Sequence, residues 1–133
     1  MPDDARPLLL NGLTGHTTIN GKIVEVNWSK RAALELAQRR EPLFVELELY
    51  FSCLVKKFVH FRAPKSTHEP SWVNDKLAIY FRPVTSTSCS WETAAQLGRQ
   101  PETEIDTPAT RHIAPKRVEL DFKNGAWVAE YFL

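Results

Sequence analysis

No stretch of this chain approaches the roughly 20 consecutive apolar residues that a membrane-spanning helix needs, and the aliphatic run Leu8-Leu9-Leu10 is far too short to count. The opening Met1-Pro2-Asp3-Asp4 is acidic where a secretory signal is basic, which makes the cytoplasm the expected compartment. Cysteine is scarce: Cys53 and Cys89 stand alone, and in a reducing compartment both should remain thiols. Charge of one sign is missing too, since 17 basic and 16 acidic residues nearly cancel. Such a chain has no overall field to draw it onto nucleic acid or an anionic membrane, so neither is expected as a partner. The five glycines, at 12, 15, 21, 98 and 125, never fall at the spacing of a phosphate-cradling loop, which argues against a nucleotide cofactor.

What is present is β pattern. Across 133 residues, 43% of them apolar, there is material for one core, and a single domain over 1–133 is the expectation. Residues 1–16 read as a lead-in. After the turn signal Asn20-Gly21, Val24, Val26 and Trp28 alternate with Glu25 and Asn27 as a half-buried strand does. Ser29 is a suitable N-cap, and good helix formers follow, so a helix is predicted over about 30–41 with Ala33, Leu36, Ala37 and Arg40 on one face and Pro42 as its stop. Leu43, Val45, Leu47, Leu49 and Phe51 alternate with Phe44, Glu46, Glu48 and Tyr50, a strand by period. A second run, Leu54 to Phe61, should form a hairpin with it; Val55, Val59 and Phe61 share a face that Lys57 interrupts.

Further along, Pro, Ser, Thr and His mark a loop from Pro64 to Asp75, and Leu77, Ile79 and Phe81 make another strand. A short second helix is predicted over about 90–97, capped by Ser88 or Ser90 and stopped by Gly98. The proline-rich stretch 99–115 reads as a long exposed loop. The end is a β-hairpin in which Asn124-Gly125 is the turn, and a two-residue type I′ connection puts Val118, Leu120, Phe122, Trp127, Ala129 and Tyr131 on one face. The same register sets Glu119 opposite Glu130. The fold class is therefore α+β and β-rich, a barrel or sandwich of mostly antiparallel strands.

Nitrogen and sulfur ligands for a metal would have to come from Cys53, Cys89, His60 and His68, without the close ligand pairs of structural zinc sites. Cys89 lies just before the predicted second helix, where unpaired backbone N–H groups would acidify a thiol, so it is the candidate nucleophile for a thiol enzyme, although Ser88-Cys89-Ser90 also suits a plain capping segment. On the strand surfaces, Lys56 or His60 are placed to pair with Glu46, Glu48 and Tyr50. Lys56, Lys57, Arg62 and Lys65, with Phe58 and Phe61 interleaved, have the makings of a basic strip for single-stranded nucleic acid, but two neighbouring glutamates weaken it and a mixed-charge sheet surface is the expectation.

The segment from Ile23 to Ala37, with Ser29-Lys30-Arg31-Ala32-Ala33 at its centre, then the alternating strand to Phe51 and Ser52-Cys53, resembles the opening of the HesB-like A-type iron–sulfur carriers. Val118-Glu119-Leu120-Asp121-Phe122, Gly125 and Tyr131-Phe132 are similar to that family's final strand pair, so the resemblance spans about two thirds of the chain. It implies a compact β-rich fold with the helix packed on it, and often a homodimer. The family's cluster needs a central cysteine and a C-terminal Cys-Gly-Cys; only Cys53 matches, and the sequence reaches Leu133 without the latter. Iron–sulfur clusters are usually held by four thiolates, so one matching cysteine falls short. The expectation is therefore a non-enzymatic intracellular domain without a cofactor, a degenerate HesB-like scaffold acting through protein–protein contacts and homodimerisation. The alternative is a zinc or iron–sulfur binder using Cys53 with Cys89 or His60, and the third reading is a thiol enzyme using Cys89.

Overall fold

A computed structural model describes residues 13–52, 54–65, 68–86 and 102–133. Among these, nine strands and one α-helix build a four-stranded and a five-stranded sheet over a shared core. In chain order they are β1 (Leu13–Ile19), β2 (Lys22–Trp28), α1 (Lys30–Gln38), β3 (Leu43–Phe51), β4 (Val55–His60), β5 (Ser71–Asn74), β6 (Leu77–Ser86), β7 (Glu102–Glu104), β8 (Arg117–Lys123) and β9 (Ala126–Phe132). One sheet has the order β1-β2-β8-β9; the other has the order β4-β3-β6-β5, with β7 pairing to the far half of β6. Both sheets are mixed: each central pair, β2 with β8 and β3 with β6, is parallel, and the outer pairs are antiparallel. No described helix is long and apolar enough to cross a membrane.

Alternation decides which face is inside. Leu43, Val45 and Leu47 of β3 and Leu77 and Ile79 of β6 meet Val24, Val26 and Trp28 of β2, Val118 and Leu120 of β8, and Tyr131 of β9 in one buried cluster. Two hairpins have the same turn chemistry: Asn20-Gly21 and Asn124-Gly125 all adopt positive φ (52° and 75°; 52° and 77°), the geometry a two-residue type I′ connection needs. The second of these fixes the predicted register, with Val118 opposite Tyr131, Leu120 opposite Ala129, Phe122 opposite Trp127, and Glu119 opposite Glu130.

The helix starts where the sequence places it. Ser29 Oγ accepts the Ala32 N–H at 3.1 Å and donates to the buried Asp121 carboxylate on β8, so one hydroxyl both caps α1 and ties it to the sheet. Arg31 completes the tie at 2.9 Å from Asp121. The helix ends at Gln38 rather than 41, with Arg39 already extended and its N–H closing on the Leu36 carbonyl. Its buried face is Ala32 and Leu36, with Ala33 at the margin; Ala37 is exposed and Arg40 lies beyond the helix.

Three other expectations change. The stretch 64–75, read as a loop, contains β5 at Ser71–Asn74. Residues 13–16 are not lead-in but the first half of β1, which pairs with β2 along its whole length. The stretch read as a loop over 99–115 contains β7, paired to β6 through Val84 to Ser86, and a 3-10 turn at Thr110–His112. That turn is anchored, because Asn20 Nδ2 donates to the Ile113 carbonyl at 2.6 Å and Lys22 Nζ to the His112 carbonyl at 2.6 Å. The predicted helix over 90–97 lies outside the described residues.

Candidate functional site

The outer face of β3 carries the densest polar chemistry. Since Leu43, Val45, Leu47 and Leu49 point into the core, Glu46 and Glu48 must point away from it, yet each is only 2% exposed. Neighbouring strands supply the cover. Glu46 Oε1 accepts from Arg62 Nε at 2.8 Å and from the Tyr80 hydroxyl at 2.9 Å; its Oε2 accepts from Arg62 Nη2 at 2.9 Å and Arg82 Nη1 at 2.8 Å. Arg82 then reaches Glu104 on β7 at 3.1 Å, and His68 Nε2 lies 2.7 Å from the other oxygen of Glu104. His60 Nε2 is 3.0 Å from Glu48. A cavity of about 350 Å³ opens beside this network, lined by Glu46, Arg62, Lys65, His68, Tyr80 and Arg82.

The electrostatics describe a staple rather than an acid–base device. Burial alone would raise the Glu46 carboxyl, but the hydrogen bonds from Arg62, Arg82 and Tyr80 outweigh it and bring it from 4.5 down to about 2. Tyr80 is pushed well above the usual phenol range by burial and by Glu46, so it stays a donor. Glu104, which burial would raise, is held below the usual carboxylate range by His68 and Arg82. A general acid or base works best with its pKa near the operating pH, and these groups are driven away from it.

The metal question can be put to the same residues. Glu46, Glu48 and His60 offer ligand atoms within 4.8 Å of one another. Both oxygens of Glu46 are already committed to two guanidinium groups, so an entering cation would meet positive charge and compete for filled acceptors. Of the residues singled out in the sequence, His60 is hydrogen-bonded to Glu48, and His68 to Glu104. Cys53 and Cys89 lie outside the described residues. The basic residues after β3 do not form one strip: Lys56 and Phe58 are on the outer face, Lys57 on the inner, and Arg62 is bound to Glu46.

The second feature is an unequal pair of flanks. Along β1 and β5 the two sheets are laced together: Ser71 Oγ donates to the Thr18 carbonyl at 2.8 Å, and Gly15 packs so closely that a Cβ there would lie 2.8 Å from Val73 Cγ1. Along β4 and β9 the sheets part. Lys57 Nζ bridges the gap to the Tyr131 carbonyl at 2.8 Å, the Tyr131 hydroxyl donates to the Glu48 carbonyl, and a groove of about 440 Å³ lies between, walled by Phe58, Val59 and Phe61 on one side and Trp127, Val128 and Ala129 on the other. Leu54 is 67% exposed, Val55 58%, and Phe58 and Val128 41% each. Phe58 and Val128 thus stand exposed on the two walls of the groove, with Leu54 and Val55 exposed at the start of β4.

The direction of these edges follows from the laced flank. Thr18 meets Ser71 and Gly15 meets Val73, so β1 and β5 run antiparallel. Carrying that through the strand pairings makes β9 parallel to β1 and β4 parallel to β5, hence β4 and β9 antiparallel to each other. No family model, curated protein or solved structure matches this chain.

Proposed function

We propose that this chain is a non-enzymatic cytoplasmic domain, on a HesB-like scaffold, that works through protein–protein contact, homodimerisation included. The observation that carries the reading is the open flank: two unpaired strand edges, a largely apolar groove between them with Phe58 and Val128 exposed in its walls, and Leu54 and Val55 exposed where β4 begins. Exposed edges and exposed apolar clusters are costly to leave uncovered, because both promote association. Support also comes from the polar cluster on β3, where Glu46 is committed to two arginines and its carboxyl is lowered to about 2, and Glu48 is hydrogen-bonded to His60.

The test is a photoreactive benzoylphenylalanine at position 58, with a control at Ile23 on β2, which is 74% exposed and does not line the groove. Protein adducts from position 58 and none from position 23 are the expected result. A folded protein that gives no adduct from position 58 at cellular concentration overturns the reading.

A further inference from the structure

Resting on that reading of the open flank, we infer that its occupant is a second copy of this chain, with β4 of one copy pairing antiparallel to β9 of the other. The backbone groups left free on each edge decide how the edges can pair. In β9 the pairing with β8 runs through Ala126, Val128, Glu130 and Phe132, the tight turn making Lys123 and Ala126 a hydrogen-bonded pair; Trp127, Ala129 and Tyr131 therefore turn their N–H and C=O groups outward. The Tyr131 carbonyl does so visibly, since Lys57 reaches it from across the groove. In β3 the Leu43 N–H bonds towards β6, so odd-numbered residues serve β6 and even-numbered ones serve β4. Their partners on β4 are Lys56, Phe58 and His60, which leaves Val55, Lys57 and Val59 facing outward.

An antiparallel ladder between the two free edges must set outward residues opposite outward residues, which permits only registers two residues apart. One of these places Val55, Lys57 and Val59 against the partner's Tyr131, the partner's Ala129 and the partner's Trp127. The side chains between them then meet as Lys56 with the partner's Glu130, Phe58 with the partner's Val128, and His60 with the partner's Ala126. Opposite charges meet, apolar groups meet, and inner faces stay inner. The neighbouring registers lose this: one sets Lys56 against Val128, the other Phe58 against Glu130. Like-with-like pairing is poorer as well. Two β4 edges set Lys57 against itself or Lys56 against His60, and two β9 edges set Glu130 against Val128, Ala126 or itself.

Symmetry completes the case. Because β4 and β9 run antiparallel within one chain, a two-fold axis parallel to the strands brings both edges of one copy onto both edges of the other, forming two identical seams and leaving no free edge on that flank. The Lys57 bridge gives way to backbone pairing in that assembly.

Sedimentation velocity over a concentration series, with Lys56→Glu and Glu130→Lys measured singly and mixed, tests this. The wild type should sediment as a dimer that dissociates on dilution, and each single variant should dimerise on the order of tenfold more weakly, since like charges then meet at both seams. Mixing the two single variants should restore wild-type affinity, because both seams of the mixed dimer regain opposite charges. A wild type that stays monomeric throughout, or a mixture no tighter than either variant alone, overturns the inference. The first of those outcomes, combined with adducts to another protein at position 58, would leave the flank as a contact surface and remove only the second copy.

Discussion

Replacing Glu46 by glutamine should destabilise the fold by an amount that depends on pH in a defined way. The carboxylate sits 3% exposed between Arg62 and Arg82, its titration moved from 4.5 to about 2. At 1.36 kcal/mol per pH unit this displacement corresponds to about 3 kcal/mol of folding stability, an order-of-magnitude figure. The folded value lies below the unfolded one, so this stability is fully present above about pH 5 and is lost as the pH falls from about 4.5 towards 2. Glutamine keeps the shape but removes the charge, leaving Arg82, 12% exposed, with only Glu104 opposite it. Urea unfolding followed by tryptophan fluorescence at pH 7, 5, 3 and 2 should show the variant about 3 kcal/mol less stable at neutrality, with the gap closing to under about 1 kcal/mol at pH 2. Glu104 and Asp121 also titrate, but they are present in both proteins and largely cancel in the difference. A gap that is absent at pH 7, or that stays constant down to pH 2, would refute the reasoning.

Other outcomes follow from the same geometry. Gly15→Ala puts a methyl 2.8 Å from Val73 Cγ1 and 3.1 Å from the Trp28 ring, neither of which can swing aside freely, and should cost about 1–3 kcal/mol by thermal denaturation; combining it with Val73→Ala should recover part of the loss. Ser29→Ala removes both the cap of α1 and its tie to Asp121 and should cost about 1–2 kcal/mol; a double-mutant cycle with Asp121→Asn should show coupling of at least about 0.5 kcal/mol, and strict additivity would mean the two act separately. Lys57→Met removes the bridge to the Tyr131 carbonyl at a cost of at most about 1 kcal/mol, and it should speed amide hydrogen exchange in β4 and β9 while leaving β1 and β5 unchanged.

Strands whose alternation is strong were legible from residue order. β3 occupies 43–51, and the β8–β9 register follows from Asn124-Gly125 because that turn admits one pairing. β1 escaped because Leu13–Ile19 contains Gly, His and three threonines: its burial alternates, but two of its inward positions are Gly15 and Thr17, which leave no apolar period. β7 is three residues long, too short for any period to register, and it exists because β6 extends past β5 and offers it an edge. The two parallel pairs could not be read at all: they join strands distant in sequence, and nothing local encodes which distant strand comes alongside.

The same distance hid the staple. Glu46 and Glu48 looked like solvated residues of a half-buried strand, and on an edge strand they would be. They are buried because β6 runs parallel beside β3 and brings Tyr80 opposite Glu46 and Arg82 opposite Glu48, so that the off-core positions of both strands complement one another. The usable signal was the pairing of acidic off-core positions in one alternating run with a tyrosine and an arginine in another. Lys57 carries the opposite lesson. By pattern it interrupts an apolar face, and an interruption at an inward position of an edge strand is a known way of guarding that edge. Its ammonium reaches the outward carbonyl of Tyr131 and so occupies one pairing group of β9. Within one chain that contact ties the β9 edge to β4, and in the proposed β4–β9 assembly the same carbonyl would be taken by the backbone of the second copy instead.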